Sequence, residues 1–154
     1  MFQLYNSILK FNYYLKIIFK FIKITKMIDV TCAIILINSK VLITQRSEKM
    51  HLPLKWEFPG GKLEINESET DCIIREIKEE LNIEIEVLKK LSNSIFDYGI
   101  FKINLIPFIA SYVSGEILLL EHKDYKLVDR TELLNIDWAE ADLPIVEEFL
   151  KFEL

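Results

Sequence analysis

The stretch Lys55–Ile83, KWEFPGGKLEINESETDCIIREIKEELNI, decides how the rest of the chain is read. Phe58 precedes Pro59, which biases it toward an extended conformation. Gly60-Gly61 then permits a sharp turn with backbone atoms open to a ligand. Asn66, Glu67, Ser68 and Glu69 carry helix-entry chemistry: a side-chain cap, and negative charge at the positive end of the helix dipole. The helix is predicted to run to about Leu81, with Asn82 as its left-handed stop residue. Ile73, Ile74, Ile77 and Leu81 fall on one side at helical spacing and form the expected buried stripe. Glu76, Glu79 and Glu80 share a second arc, where like charges three and four apart cost roughly 0.2–0.5 kcal/mol per pair. A solvated acidic face would account for these three acids. It would not account for Glu67 and the glycine turn, whereas a hard divalent cation, which takes oxygen ligands and keeps phosphate oxygens in its shell, accounts for all of them.

Gly61, five residues, Glu67, seven residues, then Arg75-Glu76-Ile77-Lys78-Glu79-Glu80-Leu81-Asn82-Ile83 resembles the Nudix box, G-x5-E-x7-R-E-U-x-E-E-x-G-U, with U a bulky aliphatic residue. Every fixed position matches except Asn82, which stands where the pattern has Gly and tolerates the same positive φ. The resemblance covers about Met27 to Phe152. It implies an α/β fold, the Nudix fold, with a mixed β-sheet sandwiched between α-helices. It also implies an Mg²⁺-dependent hydrolase of a nucleoside diphosphate derivative, with Mn²⁺ as a substitute.

Site roles follow from the same resemblance. Glu79 and Glu80 would be the principal metal ligands, with Glu76 a further ligand or the general base and the Gly60 carbonyl another ligand. Arg75 would orient the acids, Glu67 would brace helix and loop by a salt bridge, Gly61 would belong to the turn, and Lys62 would face the phosphates. In MutT-like members an acid from a later loop also approaches the metal water, and Glu121 is the candidate. It reads equally as an ordinary surface acid.

The run from Gln45 to Ser68 resembles MutT and the CTP pyrophosphohydrolase-like relatives, which cleave (deoxy)nucleoside triphosphates to monophosphate and pyrophosphate. The expected role is nucleotide-pool sanitation on substrates like 8-oxo-dGTP or like CTP and 5-methyl-CTP. Phe58 would lie near the base. Asp142 matches a position from which these relatives hydrogen-bond a base edge, and it reads otherwise as a helix N-cap. Arg46 ends the second strand and is either a surface cation or a grip on a phosphate or base edge. His51 reads as a loop residue. The motif of coenzyme A pyrophosphatases before the box is absent. Gly99 stands where ADP-ribose hydrolases carry a proline, and Tyr98 is one residue off the tyrosine of diadenosine polyphosphate hydrolases. The reading from a different class is a non-catalytic nucleotide-binding module. Such modules often lose box acids, and all four are present here.

The chain has 154 residues, suited to one domain with a real core, and shows no internal repeat. Residues 1–26 hold five lysines and no acids, leaving 14 basic and 24 acidic residues, or −10, for 27–154. The domain division is therefore a basic, aromatic extension over 1–26 and a Nudix hydrolase domain over 27–154. The lysines interrupt any apolar run, which argues against a membrane span or a signal peptide. The segment reads as an upstream extension or as a basic amphipathic surface helix. Cys32 and Cys72 lack metal spacing and read as buried thiols of a reducing compartment, so a cytoplasmic protein is expected. No nucleic acid polymer is expected as partner, and the molecule is expected as a monomer or homodimer.

Past the helix, IEIEVLKKL, NSIFDYG and FKINLIPFIASYV read as strands, with Pro107 marking an edge strand or bulge. GEILLL reads as a further strand, YKLVD as another and TELLN as a short helix. A closing helix from Asp142 carries Ile145, Val146, Phe149 and Leu150.

Overall fold

A computed structural model describes residues 26–152; the expectations for 1–25 lie outside the described residues. Strands β1 (Lys26–Ile37), β2 (Lys40–Gln45) and β3 (Trp56–Glu57) precede helix α1 (Glu69–Leu81). Then come β4 (Ile83–Lys90), β5 (Ser94–Asp97), β6 (Phe101–Gly115), β7 (Asp124–Val128), a 3₁₀ helix (Arg130–Asn135) and α2 (Leu143–Lys151). The sheet is mixed. Its path is β3-β2-β1-β6-β4, with β5 also on β6 and β7 on β2. The long parallel pair β1–β6 forms its centre, and the other pairings are antiparallel.

Alternation along the strands divides the core between two layers. Cys32, Ile34, Val41 and Ile43 pack with Ile145, Val146 and Phe149 of α2. Ala33, Ile35 and Leu42 pack with Ile73, Ile77 and Leu81 of α1. Each fully buried aliphatic side chain contributes roughly 1.5–3 kcal/mol, so the three α1 residues are enough to seat that helix. The result is the predicted sheet between helices.

Several local expectations hold. Ser68 caps α1 by accepting from the Asp71 N–H at 3.1 Å, and Asn82 adopts the left-handed stop conformation at φ 58°. Others are corrected. Ile74 is 37% exposed, and its place in the buried stripe is taken by Cys72, whose thiol packs against Thr31. The β1–β2 turn is Asn38-Ser39, both at positive φ. Two such residues match the right-handed twist of a hairpin.

Pro107 lies within the central strand β6, not at an edge, opposite Cys32 of β1. Its carbonyl accepts from Leu91 N–H, in the gap between β4 and β5, which share one side of β6. The missing N–H thus falls where the antiparallel ladder passes from β4 to β5, so a gap in the pairing, not an edge, accommodates the proline. GEILLL is not a strand. Leu118 and Leu120 N–H groups donate to the Leu81 and Glu80 carbonyls at the end of α1, which draws this segment off the sheet.

One departure from regular pairing makes the site. After Leu42 the strands β1 and β2 part, and β3 takes β1's place on β2, with Thr44 opposite Glu57. On the β1 side of the gap, Ala33 and Thr31 donate to the Pro59 and Gly61 carbonyls at 2.9 and 2.8 Å. The glycine turn is thereby held in the split of the sheet, directly beneath α1. No helix among the described residues is long and apolar enough to cross a membrane.

Candidate active site

Gly60 and Gly61 bring backbone against backbone and backbone against carboxylate. Gly60 has φ 152°, and a Cβ there would stand 2.2 Å from the Thr31 carbonyl oxygen. A Cβ on Gly61 would stand 2.2 Å from the Glu76 carboxyl carbon. Only this approach lets the acids of α1 meet the turn.

Arg75 gathers those acids. Its Nε and Nη2 donate to the two oxygens of Glu67 at 2.7 and 2.9 Å. Nη1 donates to Glu76 at 2.8 Å and to Glu79 at 3.1 Å, and Nη2 also reaches the Lys62 carbonyl. A bidentate guanidinium–carboxylate pair of this kind fixes direction as well as charge. Arg75 therefore relieves the acidic face far more than its position on the helical wheel suggests. Its hydrogen bonds hold the Glu67 carboxyl down to about 2.

Glu80 differs from its neighbours. It is 6% exposed, and the Gly60 N–H donates to its Oε2 at 3.2 Å. Burial, then the like charges of Glu57, Glu121 and Glu76, push its carboxyl up to about 9. Burial also raises Glu76, with Arg75 opposing and the charges of Glu79 and Glu121 adding. Glu121 lies on an exposed loop, yet its charge acts on both acids, and the neighbouring Leu120 N–H donates to the Glu80 carbonyl.

A cleft of about 330 Å³ opens beside the turn, lined in part by Val30, Arg46, His51, Lys62, Tyr98 and Phe101. Arg46 is not a free surface cation. Its Nη1 pairs with Glu57 and its Nε donates to the His51 carbonyl at 2.5 Å, which holds the following loop around the cleft. His51 stacks edge-on against Tyr98 and Phe101 with ring centres 5.2 and 5.9 Å apart, so it walls the cleft and is more than a loop residue. Phe58 does not face the cleft: its ring packs in the core on Trp138. Asp142 is buried at the start of α2 but makes no side-chain cap bond; its Oδ1 accepts the Phe58 N–H at 3.0 Å. Burial, then the charge of Glu57, holds its carboxyl well above the usual range. Tyr98, raised by burial and then by Asp142, lies within the reach of that charge.

Glu57 was not singled out in the sequence, though a signal existed. Trp56 and Phe58 are both core residues, so alternation turns Glu57 to the opposite side, toward α1. It bonds Arg46 through Oε2 and His122 through Oε1, the latter at 3.0 Å. His122 and Tyr98 were likewise missed as site residues.

The donor set is all hard oxygen, and the negative field on Glu80 and Glu76 is of the kind a divalent cation would relieve. Among the described residues no three acidic, histidine or cysteine side chains already converge on one centre. Arg75 holds Glu76 and Glu79, and Gly60 holds Glu80. Glu79 and Glu80 lie three and four residues after Glu76 on one helix, beside the glycine turn, and this set of oxygen donors fits such an ion.

A mixed sheet between two helices, split to hold a glycine turn under an acid-bearing helix, defines the class. The family model described as NUDIX domain matches residues 27–149, and the chain belongs to the Nudix family of hydrolases. It is similar to the CTP pyrophosphohydrolase of Escherichia coli K12, 33% identical over 125 residues that cover 81% of this chain and 93% of that protein. It is 35% identical to the 8-oxo-dGTP diphosphatase of Proteus vulgaris over 80 residues, 52% of this chain and 71% of that one. The solution structure of MutT from methicillin-resistant Staphylococcus aureus superposes with TM-score 0.69 at 40% identity, covering 83% of this chain and 98% of that one.

Proposed function

We propose that this chain hydrolyses a (deoxy)nucleoside triphosphate to the monophosphate and pyrophosphate, with Mg²⁺ bound and Mn²⁺ able to replace it. The observation that carries this reading is the single Arg75 network, which ties Glu67, Glu76 and Glu79 to the Lys62 carbonyl at the edge of a cleft holding two cations, Arg46 and Lys62. In this reading Glu76, Glu79, Glu80 and the Gly60 carbonyl hold the ion. When bound, the cation offsets phosphate charge and makes water a better nucleophile.

The chain's own residues supply the rest. Lys62 and Arg46 face the phosphates and offset charge that a net-acidic domain would otherwise repel. Gly61 leaves room for the Glu76 carboxylate, and Arg75 with Glu67 aims the α1 acids. A water attacks one of the two phosphorus atoms that flank the α–β bridge; the bond from that phosphorus to the bridging oxygen breaks, and monophosphate and pyrophosphate separate. Glu76, half-buried and with raised proton affinity, is suited to take the water's proton, and Glu121 approaches from the facing loop. On the base side, Asp142 is held by the Phe58 backbone N–H, and its charge acts on Tyr98 in the cleft wall.

Relatives named for CTP and for 8-oxo-dGTP support sanitation of the nucleotide pool, and both base types present donors that Asp142 would read. A panel of 8-oxo-dGTP, dGTP, CTP, 5-methyl-CTP, dCTP, ADP-ribose and a diadenosine polyphosphate, with Mg²⁺ and products resolved, tests the proposal. Monophosphate plus pyrophosphate from one or two triphosphates is expected. Tight binding without product from any of them would overturn hydrolysis in favour of a binding module.

A further inference from the structure

Glu121 stands in residues 116–123, which have no regular secondary structure, next to Leu120, whose N–H donates to the Glu80 carbonyl, and its charge acts on the carboxyls of Glu76 and Glu80. Like charges at close range push a flexible loop outward unless something tethers it. Besides the Leu118 bond to the Leu81 carbonyl, backbone bonds flank Glu121 on both sides: Leu120 N–H to the Glu80 carbonyl at 3.1 Å, and Lys123 N–H to the Gln45 carbonyl at 2.9 Å. Between them lies His122, whose side chain is only 1% exposed.

The imidazole reaches inward to Glu57, 3.0 Å from Nε2 to Oε1. A carboxylate oxygen accepts, so Nε2 carries the hydrogen. Nδ1 is buried with no hydrogen-bond partner among the described residues. Phenylalanine would fill the same space without an orphaned nitrogen, so what the imidazole adds is its bond to Glu57. The other oxygen of Glu57 is held by Arg46, which also lines the cleft and grips the His51 carbonyl.

We propose that Arg46, Glu57 and His122 form a strut at the end of β2, from β3 to the loop before β7, in which His122 is the positioning residue that holds Glu121 against the acids of α1. The strut joins the substrate-gripping arginine to the loop that carries the facing acid. Two buried or half-buried hydrogen bonds to one carboxylate make it stiff, and its ends belong to segments far apart in sequence. The catalytic half of this inference rests on the proposed role of Glu121; the mechanical half does not.

The test uses the full chain and His122→Phe, with His122→Gln as the variant that keeps a donor toward Glu57. Hydrogen exchange at the Leu120 and Lys123 amides reads the tether directly. We expect His122→Phe to accelerate it about tenfold and His122→Gln to restore most of the protection. In turnover, His122→Phe is expected to lower kcat about tenfold with KM within about twofold. In a Glu121→Gln background the same change should cost less than about twofold, because the residue being positioned is already disabled. Unchanged exchange in His122→Phe would overturn the strut, whatever the wild-type activity. Faster exchange with an equal kcat loss in both backgrounds would overturn the assignment of Glu121 as what it positions. Absence of turnover in the wild type would overturn the proposed hydrolysis and leave the exchange result to decide the strut. If His122→Phe fails to fold, Glu57→Gln, which weakens the same bonds at constant size, takes its place in each comparison.

Discussion

Gly61 and Glu76 occupy each other's space: a Cβ on the glycine would stand 2.2 Å from the glutamate's carboxyl carbon. The clash is with the far end of a side chain, so it displaces the carboxylate and spares the fold. Gly61→Ala is therefore expected to lower kcat by roughly 10- to 100-fold, the scale of a misplaced catalytic group, with melting temperature nearly unchanged. Gly60→Ala meets the Thr31 backbone instead, at φ 152°. It should destabilise by roughly 2 kcal/mol or more, or about 4–8 °C. Thermal melts and steady-state kinetics on the two variants check both. Similar Tm losses in the pair would refute the distinction.

Glu79 is 61% exposed in its side chain and bonded only to Arg75 among the hydrogen bonds at the site. Glu79→Gln should leave Tm within about 1–2 °C, since an exposed ion pair contributes little. Turnover should fall by a factor of about 100 or more. Near-wild-type Mg²⁺-dependent turnover would sink the ligand assignment.

Glu80 and Glu67 have opposite linkage to pH. Glu80 is raised from 4.5 to about 9, so the folded state holds a proton that the unfolded chain has lost. Its contribution to stability falls as pH rises from 4.5 toward 9 and is level above that. A cation prefers the ionised form, so the Tm increment produced by Mg²⁺ should grow across the same window. Glu80→Gln should raise metal-free Tm at pH 8 by about 2–4 °C, corresponding to roughly 1 kcal/mol, and flatten the increment. Glu67 is lowered to about 2, and its contribution is present above pH 4.5 and lost as pH falls through 2. Glu67→Gln should flatten that acid limb. Urea melts over pH 2–9 with and without Mg²⁺ read every term.

Asp142 accepts the buried Phe58 N–H at 3.0 Å. Asp142→Asn keeps an acceptor there and should hold stability within about 1 kcal/mol while changing the ranking among bases. Asp142→Ala strands the N–H and should cost roughly 1–3 kcal/mol in addition to the altered ranking. A uniform loss of rate across all bases in the Asn variant would remove Asp142 from base recognition.

What was legible in the chain was what is local. The spacing from Gly61 to Ile83 is a helical-wheel and turn pattern, and hydrogen bonds within a few residues enforce it, so α1, its Ser68 cap and its Asn82 stop could be read directly. The same applies to the apolar face of α2. The expectations that failed depended on distant partners. Ile74 has helical spacing suited to burial, yet it stands 37% exposed. GEILLL has strand composition, yet the carbonyls of Glu80 and Leu81 claim its N–H groups.

By itself the sequence determined the family's box, the helix that carries it and the closing helix, and which acids belong together. Only the tertiary structure decided that Glu80 is buried while Glu79 is exposed, that Asp142 braces Phe58 instead of capping α2, and that Glu57 joins Arg46 to His122. Periodicity specifies direction along one element. Desolvation and charge coupling depend on what the split between β1 and β2 brings near, and those contacts span tens of residues that no local pattern records.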